Sequence, residues 1–422
     1  MTALESTAAY ARTLDEQDPL REFRGRFLFP RGNSGEEAVY LVGNSLGLQP
    51  GSVRTAVERV LGEWEMLGVA GHFEGAHAWL ASYGRVAESM AGLVGARPSE
   101  VAVMNGLTVN LHLLMVSFYR PTPARFRIAV EPLPFPSDLH AVRAQARFHG
   151  YPAEQAVVEI PPRPGEATLR TEDIEEFFRR EGASVALLML GGVNYYTGQA
   201  FDMGRVCAAA RAAGCAVGLD LAHAAGNIPL SLHDWGPDFA AWCSYKYLNG
   251  GPGALAGCFV HERHAAKPDL PRFAGWWGQS VAERFAMGPH FTPAPGAAGW
   301  QVSNQPPVML AALEASLALF HEAGLDRLRE KSVRLTGYCE ALLDGMQPAP
   351  FTVITPRDPA ARGAQLSLRF PAGGREVFDR LARAGIVCDW REPGVIRVAP
   401  VPLYNSYTDV FRFAAALRAA LA

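Results

Sequence analysis

From about residue 50 to 310, short continuous apolar runs alternate with segments of helical length. No other feature of the chain limits its fold as much. The runs are Val101–Met104, Arg127–Val130, Ala156–Ile160, Val185–Leu190, Ala216–Asp220, Ala240–Cys243 and Leu255–Val260, and the spacing predicts helices over 108–119, 138–149, 171–182 and 203–213. Strands that stay apolar from end to end are buried on both faces. Alternating with helices, they build a mainly parallel sheet covered on both sides. In such a sheet ligands bind beyond the carboxyl ends of the strands.

The remainder reads as a smaller unit. A long helical stretch runs from Pro307 to about Leu343; strands Phe351–Ile354 and Gln365–Phe370, a helix over 375–384, strands Ile386–Cys388 and Val395–Val398, and a terminal helix follow. The expected architecture is α/β: a large, mainly parallel domain over 46–310, then a connecting helix and small α+β domain over 311–422. Residues 1–45 form an amphipathic helix and an irregular arm that packs with the small domain. The stretch 263–306, rich in Gly, Pro and aromatic residues, is too long for a passive connector and reads as a functional or interface loop.

Composition narrows the function. Hydrophobic residues make up 49% of 422 and charged residues 19%, a globular balance with room for two domains. A formal charge of −3, with basic residues scattered, predicts neither nucleic acid nor anionic membrane as a partner. Six cysteines lie far apart with no Cys-x-x-Cys pair, as expected of buried thiols in a reducing cytosol, and no metal ion is expected. Met1–Ser6 lacks a secretory pattern and no apolar run reaches membrane-spanning length, so the expected location is the cytoplasm.

Lys246 carries the chemistry. It stands between Phe239–Ser244 and the glycine-rich Tyr247–Gly253, a tract with almost no other charge. There its ammonium form loses solvation and the free amine becomes a usable nucleophile. Asp220 closes the run Cys215–Leu219, a strand that delivers a carboxylate at its tip. A strand-end aspartate and an isolated lysine further on are what a pyridoxal-phosphate enzyme needs: the lysine forms the Schiff base, and the carboxylate keeps the pyridine nitrogen protonated. A lone lysine would read as a surface residue, but Tyr245, Asp220 and the glycine-rich loop together tell against that.

Four further segments are read both ways. His223 is either a satisfied core histidine or a neighbour of the ring. Asn105-Gly106-Leu107-Thr108 opens an apolar helix, where Thr108 serves as a plain N-cap or joins free N–H groups around a phosphate. Phe135-Pro136-Ser137-Asp138 opens another helix, and Phe135 offers a flat face to a planar ring. Arg397, a charge inside the strand Val395–Val398, either takes an amino-acid carboxylate or pairs with a neighbouring acid.

Taken in order, Gly43–Gly47, Asn105–Leu114, Phe135–Asp138, Asn194–Gly198, the Asp220 and Lys246 segments, Gly275–Gly278, Val302–Asn304 and Ile396–Tyr404 resemble kynureninase from about residue 40 to the C-terminus. The resemblance implies the fold-type-I aminotransferase architecture and a homodimer with shared active sites. It also implies hydrolytic Cβ–Cγ cleavage of L-kynurenine, and of 3-hydroxykynurenine, to anthranilate or 3-hydroxyanthranilate and L-alanine, within tryptophan catabolism and NAD biosynthesis.

By the same resemblance Lys246 holds the cofactor and shuttles the Cα proton, Asp220 meets the pyridine nitrogen with His223 nearby, and Phe135 stacks on the ring. Leu107, Thr108, Pro136, Ser137, Asp138 and Tyr245 line the cofactor, and Tyr245 relays protons. Trp276 and Asn304 complete the phosphate end from the partner subunit. Arg397 takes the substrate carboxylate, and Ser45, His72 and Asn304 lie beside the aryl ketone. At Gly191 some relatives have a hydroxyl residue, so a contact made there is missing or replaced by water. Trp277, Phe in some relatives, leaves ring preference open. The rivals are another enzyme on this fold, such as a cysteine desulfurase or aminotransferase, and a cofactor-free interaction protein. Cys339 and Cys388, which read as packed, oppose a desulfurase; the Asp220/Lys246 pair opposes the interaction protein.

Overall fold

The computed structural model describes residues 6–422 except positions 33, 34, 266 and 268, so the first five residues of the expected arm lie outside the described residues. Helix α1 (Ala8–Glu16) is capped by Thr7, whose side chain accepts the Tyr10 N–H. Two helices that the sequence reading did not place come next, α2 (Ser52–Leu67) and α3 (Trp79–Val94). The periodicity of α2 is blurred because it leaves Leu61, Trp64 and Met66 exposed.

Seven strands form the large sheet: β1 (Val101–Met104), β2 (Arg127–Val130), β3 (Val157–Glu159), β4 (Val185–Gly191), β5 (Ala216–Asp220), β6 (Phe239–Trp242) and β7 (Ala256–Val260). Their order is β1-β7-β6-β5-β4-β2-β3; β7 runs antiparallel to both neighbours, and the pairs from β6 to β3 are parallel. Helices α4 (Leu107–Phe118), α5 (Pro136–Phe148), α6 (Thr171–Glu181) and α7 (Met203–Ala212) link successive strands. Alternate residues serve opposite faces: Ala240 and Trp242 of β6 join one apolar cluster, and Phe239 and Ala241 the other. Each such large side chain removed from water contributes roughly 1.5–3 kcal/mol.

The predicted continuous helix from Pro307 is corrected. Helix α8 (Pro307–Ala323) meets α9 (Leu325–Asp344) at an 80° bend. Gly324 sits between them at φ 79°, a left-handed conformation that a side chain would strain. Strands β8 (Thr352–Val353), β9 (Leu366–Arg369), β10 (Asp389–Arg391) and β11 (Val395–Val398) form a second, antiparallel sheet in the order β8-β9-β11-β10. Helices α10 (Gly374–Arg383) and α11 (Tyr407–Leu421) accompany it, the latter opened by a reciprocal Ser406/Asp409 capping box.

The arm is joined to the small unit that holds this second sheet. Val39–Tyr40 pairs in parallel with Ile386–Val387, Asp15 accepts the Tyr407 and Thr408 N–H groups at 2.6 and 3.1 Å, and Arg24 reaches Asp409 at 2.6 Å. The arm then turns to the large sheet, where Gly47 N–H donates to the Tyr245 carbonyl at 2.8 Å. Among the described residues no single helix is long and apolar enough to cross a membrane.

Candidate active site

Parallel packing aligns the carboxyl ends of β4, β5 and β6, and the chain turns there lay side chains around one cavity of about 320 Å³. Asp220 ends β5, in register with Gly191 on one side and Ala241 on the other. Lys246 follows β6 and is buried, its Nζ 3.1 Å from His223 Nε2 and 5.6 Å from the centre of the Phe135 ring. Leu107, Thr108, Phe135, Ser137, Asp138, Asp220, His223, Tyr245 and Lys246 line this one space. Pro136, the first residue of α5, has no N–H to lose there and starts the helix without lining the cavity.

Burial governs the electrostatics. It lowers His223 well below the usual imidazole range, and the Lys246 charge pushes the same way, so His223 is neutral near pH 7. Asp138 is held well above the carboxylate range by burial and then by Asp220, with which it shares a hydrogen bond. Asp220 Oδ1 accepts the Ala222 N–H at 2.7 Å, which fixes the carboxylate's orientation. Burial also raises the Tyr245 phenol and pushes the Cys243 thiol to about 11, so both keep their protons at neutral pH.

The cavity fits pyridoxal phosphate. Neither α4 nor α5 has a side-chain cap, which leaves the opening N–H groups of α4 and the Ser137 N–H of α5 open to an anion; Thr108 Oγ1 and Ser137 Oγ stand 2.7 Å apart between the two helix starts. Asn105, at φ 49°, turns the chain sharply from β1 into α4. Two buried polar atoms, His223 Nδ1 and Asp138 Oδ1, have no hydrogen-bond partner among the described residues, as expected of groups waiting for a ligand. A buried amine, a strand-end carboxylate, a neighbouring aromatic face and a double helix start match the coenzyme's aldehyde, ring nitrogen, ring face and phosphate.

Comparisons with known proteins agree. The chain is 57% identical to the kynureninase of Koribacter versatilis over 97% of both chains. It is 59% identical to that of Myxococcus xanthus, over 97% of this chain and 96% of the other. The chain belongs to the kynureninase family. Residues 328–417 match the family model for the kynureninase C-terminal domain. Among solved structures it resembles a cysteine desulfurase from Thermococcus onnurineus NA1, with TM-score 0.75, 17% identity and coverage of 91% and 94% of the two chains. A C-DES mutant with glycine covalently linked to its pyridoxal phosphate matches at TM-score 0.76 and 17% identity, over 94% of this chain and 98% of that one. These two likenesses bear on the fold, the expected fold-type-I architecture, and on nothing finer.

A second cluster adjoins the cavity of this kynureninase-family chain. Arg397, buried in β11, donates from Nε and Nη2 to both carboxylate oxygens of Asp389 (2.8 and 2.6 Å) and from Nη1 to the Tyr195 carbonyl at 2.7 Å. Ser45 donates to Asp389 at 2.6 Å and receives Arg397 Nη2 at 3.2 Å. The ion pair weighed as the alternative for Arg397 is therefore present. Burial would raise Asp389, but the Arg397 hydrogen bonds hold it below the carboxylate range. The Asn194–Gly198 turn serves this corner: Asn194 Oδ1 accepts the Tyr196 and Thr197 N–H groups, and the turn presents Tyr195 against Phe135, ring centres 5.2 Å apart.

Besides Pro136, and Ser45 and Arg397 in the adjoining cluster, three expected residues do not line the cavity. His72 packs edge-on against Trp79, Trp276 is half exposed and donates its indole N–H to the Arg284 carbonyl, and Asn304 is exposed. Sequence reasoning missed Glu131, Asp389 and Arg391. Glu131 carried the same signal as Asp220, an acid directly after an apolar strand. Asp389 and Arg391 carried none: Asp389 meets Arg397 only through the pairing of β10 with β11, and Arg391 joins through Asp389, at 3.0 Å.

Proposed function

We propose that the chain hydrolyses L-kynurenine, with water, to anthranilate and L-alanine, using pyridoxal phosphate held by Lys246. The observation that carries the reading is the buried Lys246 amine beside His223 in a cavity shared with Asp220 and the Thr108 helix start, within a chain 57% identical to a kynureninase over nearly its whole length. Bound there, the coenzyme supplies an electron sink for carbanionic charge at the substrate's Cα and Cβ.

The residues do the rest. Thr108, Ser137 and the two helix starts grip the phosphate, Phe135 covers the ring, and Asp220 holds a proton on the ring nitrogen. Arg397, kept in place by Asp389, receives the substrate carboxylate, and Ser45 faces the ketone. Lys246 would hold the coenzyme's aldehyde and, with its amine free, would take the Cα proton and return a proton later. Tyr245, whose phenol stays protonated, delivers protons as the Cβ–Cγ bond breaks. Water's oxygen ends in the anthranilate carboxylate, and a proton ends on the alanine methyl.

The same reading takes 3-hydroxykynurenine as a second substrate, a cytoplasmic homodimer as the working form, and tryptophan catabolism with supply to NAD biosynthesis as its setting. Trp276, Asn304 and His72 then belong to the partner subunit's site. The division at about 45 and 310 into arm, large domain and small domain is part of this proposal. A desulfurase reading is disfavoured: all six cysteines are buried, and burial pushes the Cys339 and Cys388 thiols to about 12. The test is a fluorescence assay for anthranilate with both substrates side by side. Sulfide released from cysteine, with no fluorescent product from kynurenine, overturns the proposal.

A further inference from the structure

Glu131, the residue after β2, puts a carboxyl into the cavity wall. Its Oε2 accepts the Gly191 N–H at 3.0 Å. Its Oε1 takes the space that a side chain at 191 would occupy, since a Cβ built on Gly191 would lie 2.7 Å from it. Gly191 is the register partner of Asp220. Strand order places these groups in sequence across the cavity: the Thr108 helix start follows β1, Lys246 follows β6, Asp220 ends β5, and Gly191 ends β4. Glu131, which follows β2 on the far side of β4, therefore stands beyond Asp220 as counted from the Thr108 helix start.

Resting on the coenzyme assignment above, elimination identifies its partner. The coenzyme carries four polar groups, and three are assigned: the phosphate to the helix starts, the aldehyde to Lys246 and the ring nitrogen to Asp220. The phenolic oxygen is left. We propose that Glu131, protonated, donates a hydrogen bond to that phenolic oxygen, and that the absence of a side chain at Gly191 lets it stand there. The groups facing it are Asp220 on β5, Asp138 on α5, Tyr195 after β4, and Lys246 and His223 across the cavity. Burial, reinforced by Asp220, raises its carboxyl to about 7, so a protonated donor is present at neutral pH.

The experiment titrates apoprotein with pyridoxal phosphate and with its 3-deoxy analogue, which lacks the phenolic oxygen, following tryptophan fluorescence and the visible absorption of the bound coenzyme. Binding of pyridoxal phosphate by the unaltered protein is read first; its failure would sink the coenzyme assignment rather than this inference. Given binding, Glu131→Ala is expected to weaken pyridoxal phosphate about tenfold and to leave the 3-deoxy analogue unchanged. Glu131→Gln, which keeps a donor, is expected to stay within about threefold but to alter the pH dependence of the bound coenzyme's absorption over about pH 6–8. Gly191→Ser, which displaces the carboxyl and supplies a hydroxyl, should keep the affinity and lose the same pH step, and serves should Glu131→Ala not fold. Equal losses for both ligands in Glu131→Ala, or an unchanged pH profile in both Glu131→Gln and Gly191→Ser, would overturn the proposal.

Discussion

The cavity at the carboxyl edge of the large sheet and the aromatic stretch from 263 to 306 hold residues that the family resemblance assigns to one reaction, yet they are built in opposite ways. The first is closed: strand ends fix Asp220 and Lys246, and helix starts fix Thr108 and Ser137. The second is open, with Phe273, Trp276, Phe285, Met287 and Asn304 all exposed. One chain thus lines the coenzyme cavity, while the residues expected over the phosphate and the ketone lie on a surface open in the single chain, which the proposed homodimer would cover.

The sharpest break in that contrast is at Lys246. Lys246→Ala should lower anthranilate release by about 10³-fold or more, because nucleophile and proton carrier go together. Near-normal release would mean that the closed cavity is not the reaction site. Asn304→Ala should cost about 10- to 100-fold although its side chain is exposed in one chain. Mixed and reassembled with Lys246→Ala, it should recover about a quarter of normal activity, since half of the randomly formed dimers carry one complete site. No recovery on mixing would place Asn304 in its own chain's site.

Asp389→Asn probes the corner between the two regions. It leaves the Arg397 guanidinium buried without its carboxylate, so stability should fall by about 3–5 kcal/mol and KM should rise more than kcat falls. Denaturant unfolding and steady-state kinetics measure the two effects. The smallest effect is one of pH. Asp138 and Glu131 have carboxyls raised on folding, so their contribution to apoprotein stability is full below the unfolded carboxylate range and is lost as pH rises through the raised values, near 7 for Glu131. The apoprotein Tm should therefore drop by a few degrees between about pH 5.5 and 8, and Asp138→Asn should flatten that slope. A Tm that climbs over this range would contradict the buried-carboxyl arrangement.

Legibility in the sequence followed the same division. The strands of the large sheet were readable to within a residue or so at most ends, because runs buried on both faces need no partner to be recognised. Asp220, Lys246, Thr108 and the Phe135–Asp138 turn were readable because each sits at the end of such a run. The bend at Gly324 was hidden by apolar periodicity on both sides of it. Asp389 and Glu131 were hidden for a different reason: their roles come from neighbours brought close by strand pairing, Arg397 for one and Gly191 for the other. Arg397 itself was read as either a ligand grip or an ion pair, and the fold supplies the pair while leaving the grip to be tested.

The junction of arm and second sheet also has a bearing on biosynthesis. Val39–Tyr40 finds its strand partner in Ile386–Val387, and Ser45 meets Asp389 and Arg397. The segment around residues 39–45 must wait for residues 386–397 before these contacts can form. A polypeptide stopped before Ile386 lacks these partners, and with them the corner proposed to receive a substrate carboxylate. Synthesis must therefore pass Arg397 before the proposed grip on a substrate carboxylate can be built.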